Sequence, residues 1–489
     1  MLKQKLILTV FALATLFVAC HDDEAVEMVV TYPVELSISF PDKEQEFRYQ
    51  GWNENREIAA LRTDTRYADK LVLSSSDGQN YVAASEKEIT DYTEFAFLYP
   101  ASASTVSSSD TLTQVLYIDR QNGTLDGLAD FDYAWGTYTY DTDEDDYVST
   151  SVLKPLMSFC RFGFMHDGSP LKRISQVIIT SPTDSIHAVG SLNLTDGYIT
   201  RQNRGSIVLQ NSQGLAGEVY AAFFPTETAL HFTVTTLDGK SYEAILPDVT
   251  KFKAGESFVY SDIACTELAP ARIGDYYYND ATWSSLLDES KTCVGIVYAE
   301  GRAVAVRDAV EEVTWSITSE DLEGMANQTV LQDTMYIGSL PYWDGTPDSF
   351  FSDDVSEKLD GVKINLSTGE ITAWYSQGAL SDFEGQKNTS EILGSSGTYY
   401  ASTGCRNYGQ GLYGWYLPSA GELALLWSLH RAGIICSKTH DGFEDFKPFG
   451  YWTSTEYDEG NVWYINFWSG MMTKNSKASS YNVRPVIRF

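Results

Sequence analysis

From Val34 to about residue 265 the chain never keeps a helical period for three turns; its apolar residues alternate instead. In "VELSISF" the side chains of Val34, Leu36, Ile38 and Phe40 share one face, and Glu35, Ser37 and Ser39 share the other, the pattern of a half-buried strand. Similar short runs follow ("DKLVLSSSDG", "TEFAFLYP", "QVLYID", "QVIITSP", "LHFTVTTLDGK", "ESFVYSDI"), separated by Gly, Asp, Asn, Ser and Pro turns. Such punctuation predicts antiparallel β-sandwiches, and the length suits two of them, over 29–148 and 149–268. The acidic run Tyr140–Tyr147 marks the join, because like charges without apolar content build no core. Asp141, Asp143 and Asp145 alternate as in a calcium loop. The sixth-position glycine and distal glutamate of such a loop are absent, so a solvated connector is the expectation.

Beyond residue 268 the pattern changes to α+β. "GWYLPSAGELALLW", Gly414 to Trp427, contains a capping box, with Ser419 as N-cap and Glu422 three residues later. Leu423, Leu426, Trp427 and His430 then draw one apolar stripe, and Gly433 is the expected left-handed C′ residue, placing Ile434 against Leu429. These residues are expected to be structural. "GQGLYG", Gly409 to Gly414, spells a dinucleotide fingerprint, but the helix begins only at Ser419, so its N-terminus cannot face a pyrophosphate held by those glycines.

With 489 residues the chain has material for about three domains. Its formal charge of −33, from 34 basic against 67 acidic side chains, repels a phosphate backbone, so nucleic acid is not an expected partner. No G-x-S-x-G, H-E-x-x-H or P-loop occurs, and no catalytic residue is assigned. His430 is expected to bind a free carbonyl at the helix end. Besides Cys20 there are five cysteines, Cys160, Cys265, Cys293, Cys405 and Cys436, an odd number without a C-x-x-C. No histidine stands at ligand spacing from them, so neither metal nor cofactor is expected. Cys405 and Cys436 flank the helix and are the candidate disulfide.

At the N-terminus Lys3 and Lys5 precede an apolar run, Leu6 to Val18, too short to span a bilayer. "LFVAC" resembles the lipobox of bacterial lipoproteins, which implies a signal peptide over 1–19 and acylation of Cys20. The acidic tether 20–28 begins with "HDDE" after Cys20, similar to the tract that sends Bacteroidetes-type lipoproteins to the outer face of the outer membrane. Tripeptides at Asp110, Asp184 and Asp333 resemble an O-glycosylation signal of exported proteins.

Two longer resemblances follow. "LADFDYAWGT", "LKPLMSFCRFGFMHDGSPLKRISQVIIT", "VGSLNLTDGYIT" and the closing "GESFVY" resemble, in that order, landmarks of Bacteroidetes fimbrillin-like proteins, over roughly Val29 to Ile263. The resemblance implies transthyretin-like sandwiches that assemble with other fimbrial subunits by strand addition, after a protease cuts behind a basic residue, here Arg48 or Arg56. "ARIGDYYYNDATWS", "CVGIVYAE", "GWYLPSAGELALLW", "YWTSTEYDEGNVWYINF" and "NVRPVIRF" resemble a bacterial C-type-lectin-like domain related in fold to formylglycine-generating enzymes, over about Arg272 to Phe489. On that resemblance "SG" after Trp468 is a two-residue hairpin turn. The calcium-site triplets of animal C-type lectins are missing, so the likeness is to the scaffold. Trp415, Trp452, Trp463 and Trp468 are candidates to stack on a sugar ring, with burial in the core as the competing reading.

The combined expectation is a lipid-anchored, surface-exposed adhesive protein, a terminal fimbrial subunit whose receptor is a glycan or a protein. "NVRPVIRF" is expected to close the C-terminal domain with Val483, Val486, Ile487 and Phe489 in its core, leaving no spare strand to donate. The rivals are a glycan-binding surface lipoprotein that does not polymerise, and a formylglycine-generating-type enzyme.

Overall fold

The computed structural model describes residues 32–39, 57–63, 70–75, 80–85, 93–103, 112–139, 151–183, 186–318, 321–322, 334–336, 363–365, 370–372 and 379–489. The leader, Cys20, Arg48, Arg56, the acidic run at 140–147 and the tripeptides at Asp110, Asp184 and Asp333 lie outside them, wholly or in part. The described residues are mostly strand, arranged in several sheets.

The first is an eight-stranded sheet. Its order runs Lys154–Pro155, Ala134–Thr139, Glu94–Tyr99, Glu57–Arg62, Lys70–Ser74, Asn80–Ser85, Tyr32–Ser39 and Ser151–Val152. Alternation implies one wet face, yet Glu57–Arg62 and Glu94–Tyr99 are buried on both. Ile58, Ala60, Phe95 and Phe97 enter a core with Ile38, Leu73 and Tyr81. Ala59, Leu61, Ala96 and Leu98 enter a second core from the opposite face.

That second core ignores the expected boundary at 148/149. It joins Leu61, Leu98, Leu116, Tyr133 and Trp135 to Phe159, Phe162, Ile179 and Phe232. The cause lies in strand pairing. Thr113–Tyr117 pairs with His187–Asn193 in a three-stranded sheet, and Arg120–Gln121 pairs with Ile207–Leu215 at one end of a nine-stranded sheet. Buried Gln121 fixes this crossing through its side-chain amide, which donates to Ala222 O (2.9 Å) and accepts from Ala222 N (2.8 Å). Trp135 Nε1 donates to Leu194 O (3.0 Å), and the ring lies where a side chain on Gly197 would be; Gly197 itself has φ +72°. A division by chain position thus cuts through shared sheets.

The C-terminal unit has a five-stranded sheet, Trp283–Ser284, Tyr276–Tyr278, Cys293–Ala299, Arg302–Ala305 and Val486–Arg488. A six-stranded sheet runs Val310–Thr314, Ser480–Val483, Gly450–Asp458, Asn461–Asn466, Met471–Ser476 and Thr334–Tyr336. Three helices accompany them: α1 (Gly385–Gly394), α2 (Tyr400–Arg406) and α3 (Ala420–Arg431). The expected single stripe on α3 is corrected by the structure: every residue from Ala420 to Leu429 is buried. An all-round buried helix needs no polar face, which is why the run "LALLW" interrupts the period.

This unit docks on the nine-stranded sheet. Ile178 shares a buried cluster with Tyr277, Leu412, Trp415 and Ile487, and Ala188 and Val189 pack with Tyr413. Thr233 Oγ1 donates to Ala281 O (3.1 Å), and Lys291 Nζ bridges Glu243 (3.0 Å) and Asp280 (2.8 Å) across the same seam. Among the described residues no helix is long and apolar enough to cross a membrane.

Candidate functional site

The start of α3 is where a ligand-binding helix terminus would be sought, and its free groups are already taken. Ser419 N–H donates to Glu422 Oε2 (3.0 Å), the reciprocal half of the capping box. The Ser419 hydroxyl donates to Asp382 O (2.6 Å), which also accepts from Gly421 N (3.0 Å). Ala420 N donates to Thr455 Oγ1 (2.8 Å), and that hydroxyl donates to Asp382 Oδ2 (2.6 Å). Glu422 Oε1 accepts from Tyr416 Oη (2.9 Å) and lies 3.1 Å from Arg302 Nη1. Burial raises the Glu422 carboxyl above its ordinary range, against the pull of Arg302. The backbone N–H groups of Ser419, Ala420 and Gly421 are thus already bonded within the protein.

At the other end Gly433 has φ +73°; its N–H donates to His430 O (3.0 Å), and Ile434 N–H donates to Leu429 O (3.0 Å), the two bonds of a Schellman motif. His430 Nδ1 lies 2.9 Å from Ile435 O, and burial lowers the imidazole pKa.

Three of the four candidate stacking tryptophans are withdrawn. Trp415, Trp452 and Trp463 are buried, and two spend their indole N–H on backbone carbonyls, Trp415 on Gly409 (2.9 Å) and Trp452 on Val313 (2.9 Å). Trp468 is 75% exposed. The expected two-residue turn beside it is a four-residue loop, 467–470, because Asn466 pairs with Met471. Asn466 Oδ1 accepts from Trp468 N (3.0 Å) and Ser469 N (3.2 Å), and Gly470, at φ +68°, sits against the Trp427 ring where no Cβ would fit. The loop therefore presents Trp468 from a fixed backbone.

The Cys405–Cys436 disulfide is likewise corrected. Both are free thiols, as are the other three described cysteines. Cys405 is packed among Trp315, Ile392 and Trp452, where burial pushes its thiol far up, and Cys436 faces Gly433 O and Thr439 Oγ1 in the loop after α3. Cys405 is therefore no ready nucleophile. Among the described residues no group of three His, Cys, Asp or Glu side chains could hold a metal ion.

Sequence reading missed the buried ion pairs. Arg484 is enclosed with Asp308 and lies over the Phe443 and Phe446 rings, and Lys477 is enclosed with Glu456. The signal available was a charge set between apolar residues, as Arg484 is in "NVRPVIRF".

The strands relevant to assembly differ in how they are held. Tyr32–Ser39 pairs along one side with Asn80–Ser85, but on the other side meets Ser151–Val152 only at Ile38 and Ser39. Val486–Arg488 pairs with Arg302–Val304, Val486 also bridges Tyr416, and Phe489 stacks on Tyr277 with ring centroids 4.3 Å apart. Val483, Val486 and Ile487 are buried.

Residues 304–487 match the family model of the Lcl C-terminal domain, which is less than half of the chain. Among solved structures the chain is similar to a fimbrial protein from Bacteroides ovatus at 13% identity, over 93% of this chain and 99% of that one, with a TM-score of 0.31. A fimbrial assembly protein from Parabacteroides distasonis matches at 13% identity, over 47% and 91%, with a TM-score of 0.27. The tip fimbrial protein Mfa3 from Porphyromonas gingivalis, C-terminally truncated, matches at 13% identity, over 44% and 81%, with a TM-score of 0.24. No curated protein matches the chain.

Proposed function

We propose that the chain is a cell-surface adhesive subunit that ends a fimbrium. It is exported as a lipoprotein acylated at Cys20, and trimming after Arg48 or Arg56 releases the strand Tyr32–Ser39 so that one neighbouring subunit adds a strand beside Asn80–Ser85. The observation that carries this reading is the contrast between the two strands. Tyr32–Ser39 is held along one side and at two residues of the other, whereas Val486–Arg488 is locked by pairing, by burial and by the Phe489–Tyr277 stack. Extracting Val486 and Ile487 would expose two apolar side chains at about 1.5 to 3 kcal/mol each, so this strand is not available to donate. The test is to trim the purified protein with a trypsin-like protease and follow its mass, alone and with a stalk fimbrillin. One-to-one capture is expected; long homopolymers of the trimmed chain alone would refute the terminal role.

A second reading, a glycan-binding surface lipoprotein that never polymerises, is supported by the exposed Trp468 on its fixed loop. Glycan binding with no capture of the stalk subunit after trimming would favour it. The formylglycine-generating reading lacks support from the cysteines, since Cys405 and Cys436 are separate buried thiols.

A further inference from the structure

A cleft of about 170 Å³ opens where the nine-stranded sheet meets the C-terminal unit. Its polar wall comes from both sides: Asp119 and Arg120 precede the crossing Gln121, Gln386 and Ser390 lie on α1, Arg406 ends α2, and Tyr413 follows. Tyr413 is held in place by its own backbone, whose N–H donates to Ser206 Oγ (3.1 Å), and by Gly205, where a Cβ would lie 2.9 Å from that of Tyr413.

Two features of this wall are unexplained by packing. Tyr413 is only 6% exposed, yet its hydroxyl has no hydrogen-bond partner, a state that calls for a ligand or ordered water. Arg406 makes no ion pair among the described residues, although the Asp119 carboxylate is near enough to feel it. Arg120 Nε stands 4.0 Å from Asp119, and burial raises the Asp119 carboxyl against both guanidiniums. Asp119 in turn helps burial push the Tyr413 phenol up to about 12, so the hydroxyl keeps its proton and is a donor.

We propose that this cleft binds a monosaccharide bearing a single carboxylate, of the uronic or sialic acid class. Two arginines and one aspartate give the wall one net positive charge, matched by a monoanion. A phosphate dianion exceeds that single positive charge and brings its second negative charge against the Asp119 carboxylate. A sugar acid places its carboxylate on Arg406 and the Tyr413 hydroxyl, and its ring hydroxyls supply donors for Asp119 and for the acceptor oxygens of Gln386 and Ser390. The volume is below the roughly 300 Å³ at which drug-sized sites begin, the scale of one ring rather than an oligosaccharide. The inference rests on the adhesive reading for its biological meaning, and its binding test is independent of assembly.

The experiment is titration of the purified full chain with glucuronate and N-acetylneuraminate, against glucose, acetate and inorganic phosphate, by calorimetry or saturation-transfer NMR. The acids are expected to bind in preference to all three controls. Arg406→Gln and Tyr413→Phe should each weaken binding about tenfold or more, the loss expected for a hydrogen bond to a charged group. Tyr413→Phe, which removes only the unpartnered hydroxyl, should not lower the melting temperature of the unliganded protein. Glucose, acetate or phosphate binding as tightly as the acids would overturn the assignment, as would unchanged affinity in a folded Arg406→Gln variant. Loss of sugar-acid binding with stalk capture intact leaves the terminal-subunit reading in place, and the converse result leaves the cleft in place.

Discussion

Arg302 Nη1 and Glu422 Oε1 stand 3.1 Å apart, joining the strand Arg302–Ala305 to the first turn of α3. Glu422 is fully buried and Arg302 nearly so, and Tyr416 and Ser419 complete the coordination of the carboxylate. Desolvation still outweighs these partners and raises the carboxyl above its ordinary 4.5. In the interval above 4.5 the folded state therefore holds more proton on Glu422 than the unfolded chain does, and this group's contribution to stability grows as pH falls and is lost as pH rises through the raised value. The melting temperature of the wild type, relative to that of Glu422→Gln, should rise from pH 7 toward pH 4.5. Glu422→Gln keeps the shape of the uncharged carboxyl and cannot titrate, so the variant's own stability should lack this pH trend. Thermal melts of both proteins across that range check the sign.

Gly197→Ala should destabilise by about 1 to 3 kcal/mol, since the new methyl would overlap the Trp135 ring at a backbone angle that disfavours any side chain. Trp135 sits in the core shared by the eight-stranded and nine-stranded sheets, so one transition should shift as a whole in urea. Two separated transitions, with only one moved, would contradict the shared core.

Trp468→Ala and Trp452→Ala make a matched pair. The exposed indole should be removable within about 0.5 kcal/mol, whereas the buried one should cost about 3 to 5 kcal/mol. Any loss of glycan binding on an array should follow the first variant and not depend on stability.

Cys20→Ser should move the protein from the membrane fraction to the soluble fraction, since buried acyl methylenes contribute about 0.8 kcal/mol each and the proposal relies on them for attachment. Cell fractionation with an acyl label reads the outcome directly.

Signals in the sequence are legible where their cause is local. Ser419, Glu422 and Gly433 act within a turn or two of themselves, so cap and C′ positions could be named from spacing. The four-residue loop at 467–470 is not legible in "SG", because the register of Asn466 with Met471 depends on pairing across the hairpin. Trp415, Trp452 and Trp463 could not be separated from Trp468 by composition, because an indole looks alike in a core and on a loop. The weave of Thr113–Tyr117 into His187–Asn193 was invisible for the same reason: alternation identifies a strand without identifying its neighbour. The seam cleft draws Asp119 and Arg406 together from different units, and no spacing rule reaches that far.

The crossing of Thr113–Gln121 into the second set of sheets also decides how the molecule carries load. A tension applied to the C-terminal unit passes through the Thr233–Ala281 bond and the Lys291 bridges into the strand Thr226–Thr236 and its sheet. From there it reaches the first sheet by the Trp135–Leu194 bond, by the shared core, and by the chain that runs through Thr113–Tyr117 and Arg120–Gln121, themselves paired with His187–Asn193 and Ile207–Leu215. Shear is thus shared among several parallel attachments, so a pull tending to separate the eight-stranded sheet from the nine-stranded one must break these as well as straighten a tether.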